Sequence, residues 1–315
     1  MFLSDAIWGI FFISQICIGF LGNSLLFMLY MYTFLTQSRL KKPIDLIFIH
    51  LTLVNVLTIM FKLIPDATSS FGVRHFLDDV GCKATLYTYR VTRGLSICTT
   101  SFLSVFQAIT ISPSNSTWMR LKSEISTCIF PSFLFFWIIN MLIYIHIIKT
   151  VEANRNASFV GSGYLQVYCQ TNQLEHHRSM AFITGIIIRD LLFLVLMMLS
   201  SIYMVSLLYK HRQRAQHVHS PSLSSQTSPE IKATHNILLL LSCFVFFYSS
   251  NNFIALYSFY RPEKIPRLER ITGILSSGYP TVCPFVLMKN NKITFRFTSF
   301  ISKMRPIFSR KMVSR

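Results

Sequence analysis

Seven continuous apolar runs, each long enough to cross a lipid bilayer, divide this chain, and no soluble fold needs that many stretches of that length. A helix crossing the hydrocarbon core takes roughly 20 predominantly apolar residues. In lipid every backbone N–H and C=O must be satisfied within the protein, which leaves helices and closed barrels. The runs are continuous rather than alternating, so they read as helices. They cover about 7–35, 44–64, 81–111, 125–148, 181–208, 233–260 and 271–288. The expected fold is an all-α membrane protein, a single seven-transmembrane helix bundle over 1–315 with a cytoplasmic tail at 289–315.

The formal net charge of +18 becomes a topology signal once it is sorted by segment. With the N-terminus outside, the inner segments 36–43, 112–124, 209–232 and 289–315 hold 17 Lys/Arg against 2 acids, Glu124 and Glu230. The outer segments 1–6, 65–83, 149–180 and 261–270 hold 9 Lys/Arg against 8 acids. Basic residues stay on the cytoplasmic side during insertion, so the N-terminus is expected outside and the C-terminus inside. Nucleic acid is the other partner a basic chain suggests. Here the basic residues are dispersed among membrane flanks, where attraction to anionic lipid accounts for them. Membrane lipid is thus an expected partner and nucleic acid is not. The first run lacks a basic start and is too long for the apolar core of a cleaved signal peptide, so it reads as a signal anchor. About six residues precede it, which places any ligand among the helices or on the outer loops.

Five of the seven cysteines (Cys17, Cys98, Cys128, Cys243 and Cys283) fall within the runs, where a free thiol behaves as a small hydrophobe. Cys82 and Cys169 lie at or beyond the outer ends, on the oxidising face. A disulfide between them would pin the second outer loop over the bundle mouth; the alternative is two free thiols. The same loop carries a glycosylation sequon at Asn156. A second sequon, at Asn115, faces the cytoplasm in this topology and is expected to stay unmodified. The stretch 220–230 is rich in Ser and Pro and reads as a mobile loop, preceded by a solvated basic stretch at 210–220. The tail mixes apolar and basic residues at helical spacing, as a short helix lying on the inner leaflet would.

Charges inside a bilayer are costly and face the bundle interior. Lys62 sits near the outer end of the second run, where it can snorkel. Arg90 and Arg93 are three apart on the third, on one face. They lie roughly 12–16 Å below the outer surface at 1.5 Å per residue from Cys82, a depth that suits a small-molecule pocket. Arg189 and Asp190 are adjacent on the fifth run and so are expected to diverge, with Asp190 free to pair with an arginine of the third. Two readings stand side by side: these groups neutralise one another structurally, or they line a pocket with a positive bias. Tyr87 and Tyr89 are candidates for its apolar wall. Pro131 is expected to interrupt the fourth run, and Pro280 with Pro284 the seventh. No catalytic constellation, metal-ligand spacing or cofactor motif appears in the sequence.

Seven spans, an outer N-terminus and a cysteine pair from the third span to the next outer loop resemble a G-protein-coupled receptor. Gly22-Asn23 looks like the first-span signature of the rhodopsin-like class, Asn55 stands in the region of its second-span aspartate, and Cys283-Pro284 stands where Asn-Pro is expected. The Asp-Arg-Tyr triplet of the third span and the Trp-x-Pro of the sixth are missing. A narrower group fits those departures. The segments FLSVFQAITISPS (102–114), SSIYMVSLLYKHRQRAQHVHS (200–220), ATHNILLLLSCFVFFY (233–248) and GYPTVCPFVLM (278–288) resemble the vomeronasal type-1 receptors, and the Asn156 sequon fits too. The resemblance implies a pheromone receptor with a small organic ligand, in some members acidic, and an inhibitory-type heterotrimeric G protein. Without the triplet arginine the cytoplasmic latch must be built differently, with Gln107, Lys210 and Arg212 as candidate G-protein contacts. The closest rival is a bitter-taste receptor, a family that generally lacks the Cys82-type cysteine; a transporter or channel is the rival of another class.

Overall fold

The computed structural model describes residues 2–36, 42–73, 76–113, 118–153, 169–171, 176–218, 229–260 and 266–289. The order is α1 (Phe2–Thr36), α2 (Pro43–Ser70), α3 (Asp79–Ile111), α4 (Trp118–Thr127), α5 (Ile129–Thr150), β1 (Val151–Ala153), β2 (Cys169–Thr171), α6 (His176–Val218), α7 (Pro229–Tyr260) and α8 (Pro266–Met288). Among the described residues seven helices are long and apolar enough to cross a membrane; α4 is the short exception.

Helix α3 is the axis of the bundle. It starts at Asp78, whose side chain accepts from the Gly81 N–H at 2.7 Å, an N-cap that satisfies one of the unpaired first-turn donors. Its interior is rich in small and hydroxyl residues, which let neighbouring backbones come close in lipid. Thr99 and Thr100 return their hydroxyls to the carbonyls four residues back at 2.7 and 2.8 Å, so burying them leaves no donor unpaired. At Gly94 the approach is closest: a Cβ there would collide with Asn140 Oδ1 on α5. A hydrogen-bonded chain pins α2, α3 and α5. Trp137 Nε1 donates to His50 Nε2 at 3.0 Å, which puts the imidazole proton on Nδ1, facing Thr99 Oγ1 at 2.9 Å.

The prolines of α8 explain an asparagine pair. Pro284 has no N–H to give the Pro280 carbonyl. Asn23 Nδ2 supplies that bond from α1 at 2.8 Å, and Asn55 Nδ2 of α2 in turn donates to Asn23 Oδ1 at 3.1 Å. Gly22 permits the approach, since a Cβ there would meet Pro284 at 2.9 Å.

A disulfide joins Cys82 to Cys169, with Cα atoms 5.8 Å apart. Cys169 opens β2, which pairs antiparallel with β1, Ala153 opposite Cys169 and Val151 opposite Thr171. Asp79 Oδ1 accepts from the Ala153 N–H at 2.7 Å, so covalent and non-covalent ties both fasten this hairpin to the start of α3. We call this the disulfide end of the bundle.

Several boundaries differ from expectation. Helix α2 continues through Pro65 to Ser70, since one proline leaves the bonds on either side of it in place. Pro131 does not interrupt a span. It is the third residue of α5, in the first turn, where backbone N–H groups have no helical partner to lose. The break comes earlier, at Cys128, and separates α4 from α5. The basic stretch from 210 continues α6 as helix to Val218 rather than forming a loop. Both sequons, at Asn115 and Asn156, and the tail from 290 onward lie outside the described residues.

Candidate functional site

Near the disulfide end, side chains from α2, α3, α5, α6 and α7 form one polar network inside the bundle. Tyr89 and Arg93 share a face of α3, one turn apart. Arg93 reaches Tyr89 Oη at 3.4 Å, crosses to α7 to donate to Asn252 Oδ1 at 2.5 Å, and lays its guanidinium 4.4 Å from the Tyr248 ring centroid. With its amide oxygen turned toward α3, Asn251 accepts from Arg93 as well and donates to the Thr272 carbonyl of α8 at 3.2 Å. These direct partners of Arg93 are all uncharged.

Asp190 of α6, 2% exposed, accepts from the Tyr248 hydroxyl at 3.0 Å and from Arg189 at 2.8 and 3.1 Å. The expected divergence of Arg189 and Asp190 is therefore wrong. Successive Cβ atoms do diverge on a helix, but the long arginine stem folds back across its own turn to reach the neighbouring carboxylate. Arg189 also donates to Asn140 Oδ1 at 3.2 Å and Tyr144 Oη at 3.0 Å on α5. Its part-buried guanidinium is thus satisfied by a carboxylate, an amide and a hydroxyl in place of water. Asp190 binds no α3 arginine directly; Tyr248 stands between it and Arg93.

Lys62 does not snorkel. It is buried and pairs with Asp66 one turn along α2 at 3.0 Å. Its ammonium lies 5.5 Å from the Tyr89 ring centroid, and the Arg90 guanidinium lies 5.8 Å from the same centroid. Tyr89, itself buried, therefore gathers Lys62, Arg90 and Arg93 about one side chain. Tyr87 donates to the Met141 carbonyl at 3.1 Å and serves the α3–α5 contact.

Beside Arg93 a small cavity, with room for about one water molecule, lies between α2, α3, α7 and α8. Thr58, Ser96, Phe247, Tyr248 and Ser276 line it with Arg93. Of the five sequence candidates for the pocket only Arg93 reaches it; Tyr89 and Asp190 touch its lining residues Arg93 and Tyr248, and Arg90 and Arg189 lie behind these two. Tyr248, Asn251, Asn252 and Asn140 escaped the sequence reading. The signal was present in the polar run SSNN (249–252) inside an apolar span, where the rule applied to intramembrane charges extends to amides.

At the opposite end Gln107 of α3 is buried and donates to Thr234 Oγ1 of α7 at 3.1 Å. Ser112 Oγ and Tyr203 Oη meet at 2.9 Å between α3 and α6. Lys210 is exposed on the continuation of α6; the Arg212 side chain lies outside the described residues.

The chain's relatives agree in kind. The profile of the vomeronasal organ pheromone receptor family matches residues 6–300. Vomeronasal type-1 receptor 3 of Homo sapiens is 35% identical over 305 residues, 95% of this chain and 96% of that receptor. Olfactory receptor class A-like protein 1 of Danio rerio is 30% identical over 296 residues, 93% of this chain and 92% of its own length. The crystal structure of squid rhodopsin superimposes with a TM-score of 0.71 over 95% of this chain and 87% of that one, at 16% identity, and so shares the fold. The bitter-taste and transporter alternatives fall with these matches. The chain belongs to the vomeronasal type-1 family of pheromone receptors and is a multi-pass plasma-membrane protein, a G-protein-coupled chemosensory receptor rather than an enzyme.

Proposed function

We propose that this receptor binds a small, pheromone-like organic molecule in the cavity beside Arg93 and activates a heterotrimeric G protein of the inhibitory type at the far end of the bundle. The disulfide end faces outside and the C-terminus the cytoplasm, on the strength of 17 basic residues in one set of connecting segments against 9 in the other. The apolar faces of the outer helices, with Phe130 and Leu192 among the most exposed side chains, meet lipid.

The observation that carries the reading is Arg93, a part-buried cation beside a cavity, whose direct partners are uncharged acceptors and an aromatic face. A ligand bearing an oxygen acceptor competes with Asn252 and Tyr248 for that guanidinium and loosens α7 from α3. Arg90 and Tyr89 supply positive field and packing around the anchor. Arg189 and Asp190 hold Tyr248 in place from α6. At the cytoplasmic end the Gln107–Thr234 hydrogen bond keeps the same two helices closed. Its release exposes the end of α3 and the basic continuation of α6, with Lys210 and Arg212, to the G protein. The ligand acts by population shift, since it binds the open arrangement better than the closed one.

Cells expressing the chain with inhibitory-type and promiscuous G proteins, surface expression checked, are screened with a panel of small organic molecules. Arg93→Gln is expected to raise basal signalling and to abolish the response to any active molecule. Unchanged potency in that variant removes Arg93 from the site, and a ligand-evoked current without a G protein overturns the reading.

A further inference from the structure

Arg189 lies in the seam between α5 and α6, and its side chain stays 19% exposed there. A guanidinium has five N–H groups. Nε gives its one to Asp190, Nη2 divides its two between Asp190 and Tyr144, and Nη1 gives one to Asn140. Among the described residues no acceptor meets the second N–H of Nη1. One turn toward the disulfide end, on the same flank of α6, stands Gly185. It is exposed, and a Cβ added there would meet nothing within 4 Å. Beyond it Phe182 closes the seam edge-on, its ring centroid 6.3 Å from that of Tyr144 and 5.2 Å from that of His146, both on α5. On the outward side Ile188 and Leu192 are exposed to lipid. The opening at Gly185 thus leads from the bilayer to the guanidinium.

Depth narrows what can fill it. The apolar span of α6 begins at Thr184, so the Arg189 Cα lies roughly 8 Å into it. A helical side chain leans back over the turn that precedes it, which brings the guanidinium toward the boundary between headgroups and acyl chains. A donor left unmet at that depth is costly. Asp190 already balances the charge of Arg189, and one N–H remains, so the site fits a single neutral acceptor better than a carboxylate. We propose that the α5–α6 seam binds a phospholipid of the leaflet at the disulfide end, with an acyl ester carbonyl over Gly185 accepting from Arg189 Nη1 and the chain running down past Leu192. The lipid completes the shell of the guanidinium that holds Asp190 and, through it, Tyr248. This site stands apart from the cavity beside Arg93, so a silent ligand screen leaves it untouched.

The purified full-length receptor in detergent is offered an equimolar mixture of ester-linked and ether-linked phosphatidylcholine. The two share chains and headgroup, but the ether form has methylene groups in place of the carbonyls. Native mass spectrometry counts the first lipid retained. The ester form is expected to be favoured by on the order of tenfold, the effect of one hydrogen bond from a charged donor. Gly185→Leu fills the opening and should bring the ratio to about one without lowering the melting temperature; Gly185→Val is a smaller filling variant with the same expected ratio. Arg189→Met combined with Asp190→Asn removes the donor and its counter-charge together and should also erase the preference. Equal retention of the two lipids by the parent overturns the proposal, because water would then meet the N–H. A preference that survives both filling variants, or the double replacement, overturns it by placing the ester elsewhere. Displacement of the ester lipid by an equimolar fatty-acid carboxylate overturns the neutral acceptor.

Discussion

The two ends of the bundle fasten α3 to α7 with different chemistry. At the disulfide end a guanidinium grips an amide and a tyrosine face, and that tyrosine is held in turn by a buried carboxylate. At the other end an amide meets a hydroxyl, with no charge in the direct contact. Arg93 and Gln107 are 14 residues apart, roughly 21 Å along the helix. Charge-assisted bonds are about twice as strong as neutral ones, and a low dielectric strengthens them further. Such a contact is specific, yet a ligand with its own acceptor can take over the donor. A neutral hydrogen bond contributes only about 0.5–1.5 kcal/mol and opens readily once its distant partner contact is lost. On the proposed function, that pairing puts discrimination where the ligand would bind and a lightly held closure where the signal would leave.

The largest effect that separates the ends is expected at Asp190. Asp190→Asn leaves the part-buried Arg189 without its acid and takes the charged acceptor from the buried Tyr248 hydroxyl, a loss of up to about 3–5 kcal/mol. Thermal unfolding of the purified receptor should show a large drop, and replacing Arg189 as well, by Met, should restore part of it. A drop no larger than that of Gln107→Ala would erase the distinction between the ends.

Cys169→Ser is expected to lower stability by about 2–5 kcal/mol. The Asp79–Ala153 bond remains to hold the hairpin, so adding Asp79→Asn should reduce surface expression beyond either change alone. Equal expression of the single and double variants would show that Asp79 contributes nothing.

Asn23→Ala tests a region that neither end uses. It strands the Pro280 carbonyl and Asn55 and should lower the melting temperature, corresponding to about 1–3 kcal/mol for an unsatisfied buried group, with basal signalling unaltered. A rise in basal signalling would extend the switch to α1 and α8.

The smallest change in stability is expected at Gln107. Gln107→Ala should lower it by about 0.5–1.5 kcal/mol and raise basal signalling while leaving the ligand response intact. Loss of the response would place Gln107 in the binding step and contradict its assignment to closure.

How much of this could be read from the residues depended on range. The spans are local, set by the run of apolar side chains, and the Cys82–Cys169 pairing followed from which face each cysteine occupies. Helix ends were less legible because polar residues continue a helix as well as a loop: α6 runs on through Lys210 to Val218, and α2 passes Pro65. Side-chain reach was misjudged twice. Arg189 bends to a neighbour whose Cβ points elsewhere, and Lys62 turns inward to Asp66 instead of out to the interface. Asn140, Asn251 and Asn252 were passed over because only charged groups were counted as costly in lipid, although an unpaired amide is costly there as well. Gly278 of α8 sits against the Phe247 ring of α7, and nothing in the spacing of those residues announces it.

The link between the two ends can be measured as a distance. Spin labels at Thr110 on α3 and His235 on α7, both exposed and both next to the Gln107–Thr234 bond, report whether that closure holds. They are placed in the purified receptor with the exposed Cys17 and Cys128 replaced. Coupling predicts that Arg93→Gln, made far from the labels, moves population from the short distance to a longer one, as Gln107→Ala does. A distribution unchanged by Arg93→Gln but widened by Gln107→Ala would mean that the ends act independently.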